Sequence, residues 1–143
     1  MKKTIINIIL FSIPINFIWE MAQMPLYNEM PWNLDTSLFC FVASLGDAIM
    51  ILVIFFTVAF LLRDKNWIFS LTSLNVIITL TVGFIIAVIV ERLALADNMW
   101  SYSELMPIIP FNVGLSPILQ MLVLPLLVFK LTKNKLLNGR SML

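Results

Sequence analysis

The sequence contains no histidine and only one cysteine, Cys40. The lack of histidine removes the commonest general base and the commonest transition-metal ligand. A single cysteine forms neither an intramolecular disulfide nor a thiolate metal site, and the apolar run around Cys40 favours an inert, buried thiol. We therefore expect no metal and no cofactor. Any catalysis would have to use carboxylates, Arg92, tyrosines, amides and hydroxyls.

Charge is also scarce in this chain. Charged residues make up 12% of its 143 residues, hydrophobic residues 61%, and the mean hydropathy is +1.00. A soluble domain carries about twice this fraction of charge, so the composition predicts a membrane protein in contact with lipids. The net charge of +1 provides no concentrated basic surface, which argues against a nucleic-acid partner.

Four apolar stretches are long enough to cross a bilayer, which takes about 20 residues per helix. Pro25 and Pro31 are expected to end the first helix, and Pro107 and Pro110 to precede the fourth, because proline disfavours helix before it. No internal repeat is visible, so residues 1–143 are predicted to form a single transmembrane domain. The predicted fold is an all-α, antiparallel four-helix transmembrane bundle, with spans at 4–24, 37–62, 67–95 and 111–131.

The basic residues predict the orientation of these spans. In a four-span topology nearly all of them fall on one side, and positively charged segments remain cytoplasmic. Both termini are therefore expected in the cytoplasm, with the protein spanning the bacterial inner membrane several times. The residues on the predicted cytoplasmic side are Lys2, Lys3, Arg63, Lys65, Lys130, Lys133, Lys135 and Arg140.

Aromatic residues flank the predicted spans. Interfacial anchoring explains Trp67 on the cytoplasmic side and the group Trp32, Trp100, Tyr27 and Tyr102 on the outer side. The outer loop 97–110 also carries acidic residues, and we expect it to fold over the mouth of an enclosed site.

Each predicted span has polar or small residues on one helical face. Asn16, Glu20 and Gln23 follow one another at i, i+4 and i+7, which places them on one side of a helix. Four such faces avoid lipid only by turning toward one another. The corresponding residues of the other spans are Cys40, Ser44 and Asp47, then Asn75, Thr79, Gly83, Ala87 and Glu91, and finally Ser116 and Gln120.

These faces predict a site in the outer half of the bundle. An ionised carboxylate at the centre of a bilayer costs about 2.5–3.5 kcal/mol. This cost favours a functional role for the acids within the spans. Three acids beside one arginine predict that at least one carries a proton, that a cation binds, or that water fills the site. Glu20, Asp47 and Glu91 are the candidate catalytic residues. The candidate binding residues are Asn16, Gln23, Arg92, Trp100, Tyr102 and Gln120.

Two resemblances bear on this site. Through "NFIWEMAQMPLY", "SLGDA" and "WSYSELMPIIPFNVGLSPILQ" the chain resembles a family of small, uncharacterised bacterial proteins with four spans. Residues 91–125, "ERLALADNMWSY…MP…GLSP…LP", are similar in layout to the lycopene cyclase domain of carotenoid biosynthesis. That domain has a proline-led acidic pair where this chain has residues 116–120, so the resemblance implies a pocket for a long apolar molecule without the acidic pair.

Three functions stay open at this point. An enzyme or binding protein for an isoprenoid or lipid would use the acids as general acid or base. A non-catalytic partner would hold another membrane protein, or a second copy of this chain, against its polar face. A proton- or cation-coupled transporter needs polar groups through the inner half, where Asn75 and Thr79 are almost alone. An elongated cavity would indicate the enzyme or binding protein, a filled core the non-catalytic partner, and a continuous channel the transporter.

Overall fold

Four long helices make up most of the chain in the computed structural model, which describes residues 1–138. Each helix is long and apolar enough to cross a membrane. The prediction of an all-α chain with four such helices is confirmed. The helices are α1 (Lys2–Gln23), α2 (Leu34–Leu62), α3 (Ser73–Ala96) and α4 (Leu115–Asn138), and a short hairpin of β1 (Ile108–Ile109) and β2 (Val113–Gly114) leads into α4.

The starts of α2 and α3 follow from capping side chains. Asn33 accepts a hydrogen bond from the amide of Thr36, and Thr72 accepts one from the amide of Asn75, so each satisfies a backbone donor that a helix start leaves free. The predicted third span of 67–95 is therefore wrong at its start. Its first residues form a separate 3-10 turn, Trp67–Phe69.

Two prolines lie inside helices, Pro14 in α1 and Pro125 in α4. Pro125 has no amide proton to donate to the carbonyl of Met121, four residues earlier. Gly83 of α3 lies so close to this carbonyl that any Cβ at position 83 would collide with it. The glycine therefore permits the close approach of α3 and α4.

Helix α1 packs against α2 and α4, and helix α3 packs against the same two helices. Near the connection 63–72 an aromatic core fills the space between them. We call this region the packed end. The ring of Trp67 lies 5.9 Å from that of Phe55 in a stacked arrangement and 5.1 Å from that of Phe129 edge to face. Trp67 is 0% exposed, so its interpretation as an interfacial anchor is wrong.

The opposite end is closed by two connections, residues 24–33 and 97–114, which we call the capped end. Tyr27 and Tyr102 form an isolated antiparallel β-bridge. The amide of Asn28 donates to the carbonyl of Ser101 at 2.9 Å, and the amide of Ser103 donates to the carbonyl of Leu26 at 3.0 Å. These backbone bonds join the end of α1 to the segment that follows α3.

Candidate functional site

The polar faces predicted from the sequence point into the structure. Ser116 and Glu20 are partly buried. The other members of the faces are buried, so the spacing argument is confirmed for all four helices. They are Asn16 and Gln23 on α1, Cys40, Ser44 and Asp47 on α2, Asn75, Thr79, Gly83, Ala87 and Glu91 on α3, and Gln120 on α4.

The amide group of Gln120 joins three helices. Its Nε2 lies 3.0 Å from Oδ1 of Asn16, 2.9 Å from Oε1 of Glu20 and 2.9 Å from Oδ2 of Asp47. Asn16 and Glu20 belong to α1, Asp47 to α2 and Gln120 to α4. The predicted approach of these four side chains is therefore confirmed.

Gln23 extends this network toward the capped end. Its Nε2 donates to Oε1 of Glu20 at 2.9 Å and to Oε1 of Gln120 at 3.3 Å. Its own Oε1 accepts a hydrogen bond of 2.7 Å from the hydroxyl of Ser116. The hydroxyl of Ser116 therefore orients the amide of Gln23.

The network contains more acceptors than donors around Gln120. A primary amide has two protons to donate, whereas three acceptor oxygens surround this Nε2. At least one of Asn16, Glu20 and Asp47 therefore lacks a full hydrogen bond from Gln120. Asp47 is only 7% exposed, so bulk solvent reaches little of its side chain.

The carboxyl groups of Glu20 and Asp47 lie beside each other, because Nε2 of Gln120 is 2.9 Å from an oxygen atom of each. An ionised carboxylate only accepts hydrogen bonds, so a bond between two carboxyl groups requires a proton on one of them. Two carboxylates at this separation repel each other strongly, and sharing one proton relieves the repulsion. We call Glu20 and Asp47 the acid pair.

Glu91 belongs to a second set of contacts beside the acid pair. Its Oε2 accepts hydrogen bonds from the hydroxyl of Tyr102 and, at 3.4 Å, from Nε1 of Trp100. Burial raises the pKa of Tyr102, and the hydrogen bond to Glu91 raises it further. The phenol therefore keeps its proton and remains the donor to Glu91.

Tyr27 completes the cover over these acids. Its ring lies 6.3 Å from that of Trp100, edge to face, and 5.6 Å from that of Tyr102. The predicted folding of loop 97–110 over the site is confirmed for the acids, since Trp100 and Tyr102 contact Glu91. It is wrong for the mouth of the cavity, which lies beside α2. Tyr27 was predicted to be an interfacial anchor, although it lies four residues after Gln23, the same step in sequence as the polar face of α1.

A cavity of about 250 Å³ lies against these groups. Its polar boundary is formed by the three acids with Gln23 and Gln120, and most of its remaining surface is aliphatic, aromatic or methionine. The apolar and aromatic lining residues are Tyr27, Met30, Phe39, Val42, Ala43, Met50, Ala87, Val90, Met99, Trp100, Pro117 and Met121.

The cavity reaches the surface at α2. Among its lining residues, Phe39 is 41% exposed, Val42 64% and Met99 61%. Gly46 also lines it, and a Cβ built on Gly46 meets no atom within 4 Å. The opening is therefore lateral, on an apolar side of the helices.

Arg92 lies apart from this site. It is exposed, and its Nη1 donates to the carbonyl of Phe111 at 3.3 Å. Neighbouring residues of an α-helix point about 100° apart, so Arg92 turns outward where Glu91 turns inward. Among the described residues, no lysine or arginine lines the cavity.

Within residues 1–138, no group of three or more Cys, Asp and Glu side chains is arranged to hold a metal ion. Comparison of the chain with protein-family models, with curated proteins and with solved structures gives no match. Both resemblances noted from the sequence therefore stay predictions. The function of the site is inferred from its own chemistry.

Proposed function

We propose that the chain is an antiparallel four-helix bundle of the bacterial inner membrane, with both termini in the cytoplasm. Lys2 and Lys3 begin α1, and Arg63 and Lys65 follow α2, which by the positive-inside rule makes these helix ends cytoplasmic. The capped end then faces outward, and the lateral opening of the cavity faces lipid.

In this orientation the cavity binds a lipophilic molecule from the membrane, and the acid pair exchanges a proton with the polar group of that molecule. The observation that carries this proposal is the amide of Gln120, which holds Glu20 and Asp47 together at one boundary of a largely apolar cavity. A carboxyl and a carboxylate that share one proton provide both a general acid and a general base.

The size of the cavity defines how such a molecule would bind. Pockets that enclose a drug-sized ligand measure about 300–1,000 Å³, and this cavity measures about 250 Å³. A head group and a few attached carbons fit inside. A longer apolar tail would pass between Phe39, Val42 and Met99 into the lipid.

The contents of the packed end support a binding pocket over a transport path. The cavity ends at Met50, Ala87 and Met121. Beyond them lies the apolar core that contains Ile54 and Val58, both 0% exposed. The members of the polar faces are buried or partly buried in the described residues, so no such face is exposed there for a partner helix.

Filling the cavity tests this proposal. Gly46→Trp places an indole where a Cβ meets no atom, and Ile49→Trp, on the exposed side of the same helix, is the matched control. Lipophilic molecules that co-purify with each protein would be compared by mass spectrometry. We expect one class of molecule to be enriched with wild type and with Ile49→Trp and depleted with Gly46→Trp. Identical profiles for all three proteins would contradict a binding cavity.

A further inference from the structure

Acceptor oxygens outnumber amide protons around Gln120 at the acid-rich boundary of the cavity. The amide protons of Gln120 serve three acceptor oxygens, and Glu20 receives a second bond from Gln23. Among the described residues, the side-chain donor to the buried Asp47, which lines the cavity, is the amide of Gln120 that it shares with Asn16 and Glu20. A ligand that fits here must donate hydrogen bonds.

The cavity also lacks positive charge. Arg92 is exposed and directed away, and the described lining residues include no other cationic side chain. The shared proton neutralises only one member of the acid pair, and Glu91 accepts from two neutral donors. An anionic head group, such as a phosphate or a carboxylate, would meet uncompensated negative charge in a medium of low dielectric constant.

The rest of the lining suits a cation that carries an apolar tail. The rings of Tyr27, Phe39 and Trp100 line the cavity, and aromatic faces attract organic cations. Met30 and Met99 line it as well, beside two further methionines. Methionine side chains adapt to apolar shapes that vary in width.

Building on the proposed lipid-facing pocket, we infer that its ligand is a lipophilic amine with a single protonatable head group. The neutral amine enters from the membrane past Phe39 and Val42. Its nitrogen lone pair takes the proton shared by the acid pair, so an N–H bond forms as the O–H bond breaks. The resulting ammonium faces two carboxylates and supplies the donors that Asp47 lacks. When the amine leaves as the neutral base, the proton returns to the acid pair.

Competition between ligands of equal chain length tests this inference. Tritiated dodecylamine would be bound to the purified full-length chain in detergent, and binding would be measured by scintillation proximity. The fraction lost in Gly46→Trp, but kept in Ile49→Trp, defines binding in the cavity. Unlabelled dodecylamine, dodecanol and dodecanoate would then compete for this fraction, and circular dichroism would confirm that each variant is folded.

We expect dodecanol to compete about tenfold or more weakly than dodecylamine, the change expected for loss of one charged hydrogen bond, and dodecanoate not to compete. Asp47→Asn and Glu20→Gln should each weaken the binding of dodecylamine by a similar factor and leave the binding of dodecanol unchanged. Equal competition by dodecanol, with no effect of Asp47→Asn, would overturn the amine inference and leave a cavity for neutral lipophiles. Binding equal in Gly46→Trp and wild type, or no binding at all, would overturn the amine inference, whereas the binding cavity itself is overturned only if the co-purified molecules of these variants are identical.

Discussion

The two ends of the bundle use the same four helices and fill the space between them differently. At the packed end, Phe55, Trp67 and Phe129 meet ring to ring, and all three are almost wholly buried. At the capped end, amides and carboxyl groups meet around a cavity. Contacts that stabilise the helices are therefore concentrated at one end, and groups suited to chemistry at the other.

The buried polar residues of the two ends also bond differently. Asn75 donates to the carbonyl of Ser70 at 2.6 Å, and the hydroxyl of Thr79 donates to the carbonyl of Asn75 at 2.8 Å. These bonds are local in sequence, whereas Gln120 bonds to side chains of α1 and α2. Cross-helix bonding between polar side chains thus distinguishes the site from ordinary buried polar residues.

We expect the largest loss of stability from a substitution in the aromatic core of the packed end. Trp67→Ala removes a fully buried indole and should lower the free energy of unfolding by about 3–5 kcal/mol. Trp100→Ala should cost clearly less, because Trp100 is only partly buried. Both can be measured by reversible titration with sodium dodecyl sulfate in mixed micelles. An equal or larger loss for Trp100→Ala would contradict the division between the two ends.

Two helical glycines, Gly83 and Gly46, allow the close packing of α3 and α4 to be compared with the open space beside the cavity. Gly83→Val forces a side chain against the carbonyl of Met121, and overpacking of this kind costs about 1–3 kcal/mol. Gly46→Val adds the same atoms where a Cβ has open space, so stability should be unchanged or slightly higher. The same unfolding titration compares them, and a similar loss for both would argue against the cavity beside Gly46.

Removing the central amide of the site should lower the stability by about as much as Gly83→Val, and less than Trp67→Ala. Gln120→Leu leaves buried acceptors of Asn16, Glu20 and Asp47 without this donor, which should cost about 1–3 kcal/mol. Ser116→Ala, which deletes one bond at the edge of the network, is expected to cost about 0.5–1.5 kcal/mol. If the two variants were equally stable, Gln120 would not be the centre of the network.

The two tyrosines of the chain both lie at the capped end. Their ionisation is expected to affect stability least at neutral pH. Burial raises the pKa of Tyr27 and of Tyr102. Because the folded protein binds these protons more tightly than the unfolded chain, the stabilisation is complete below the ordinary tyrosine pKa of about 10 and is lost as the pH rises above it. In a pH titration followed by ultraviolet absorbance, tyrosinate should therefore appear only when the capped end unfolds. Reversible ionisation of both tyrosines near pH 10, without a change in Trp fluorescence, would contradict the buried cap.

Apolar length and steps of four predicted the helices and the inward faces because both depend on local sequence. The capping residues Asn33 and Thr72 show why the helix starts were less predictable. The apolar residues Trp67–Phe69 before Thr72 made the predicted third span begin too early, and the polar residues 35–37 after Asn33 made the predicted second span begin too late. Pro14 and Pro125 lie within helices, so a proline alone did not mark a helix end.

The rest of the site depends on contacts that are distant in sequence. The bridge between Tyr27 and Tyr102 joins two connections, and neither connection has a periodic pattern that predicts the other. The outward direction of Arg92 likewise depends on its position beside Glu91 and on the carbonyl of Phe111. The charge balance of the cavity therefore became visible only in three dimensions.

The central claim is that Glu20 and Asp47 share one proton at the polar boundary of the cavity. Infrared spectra of the purified protein at neutral pH, in water and in deuterium oxide, test it most directly. We expect an isotope-sensitive carboxylic-acid band in wild type that changes in both Glu20→Gln and Asp47→Asn and is absent when the two substitutions are combined. A wild-type spectrum without this band, or a band that persists unchanged in both single variants, would contradict the shared proton.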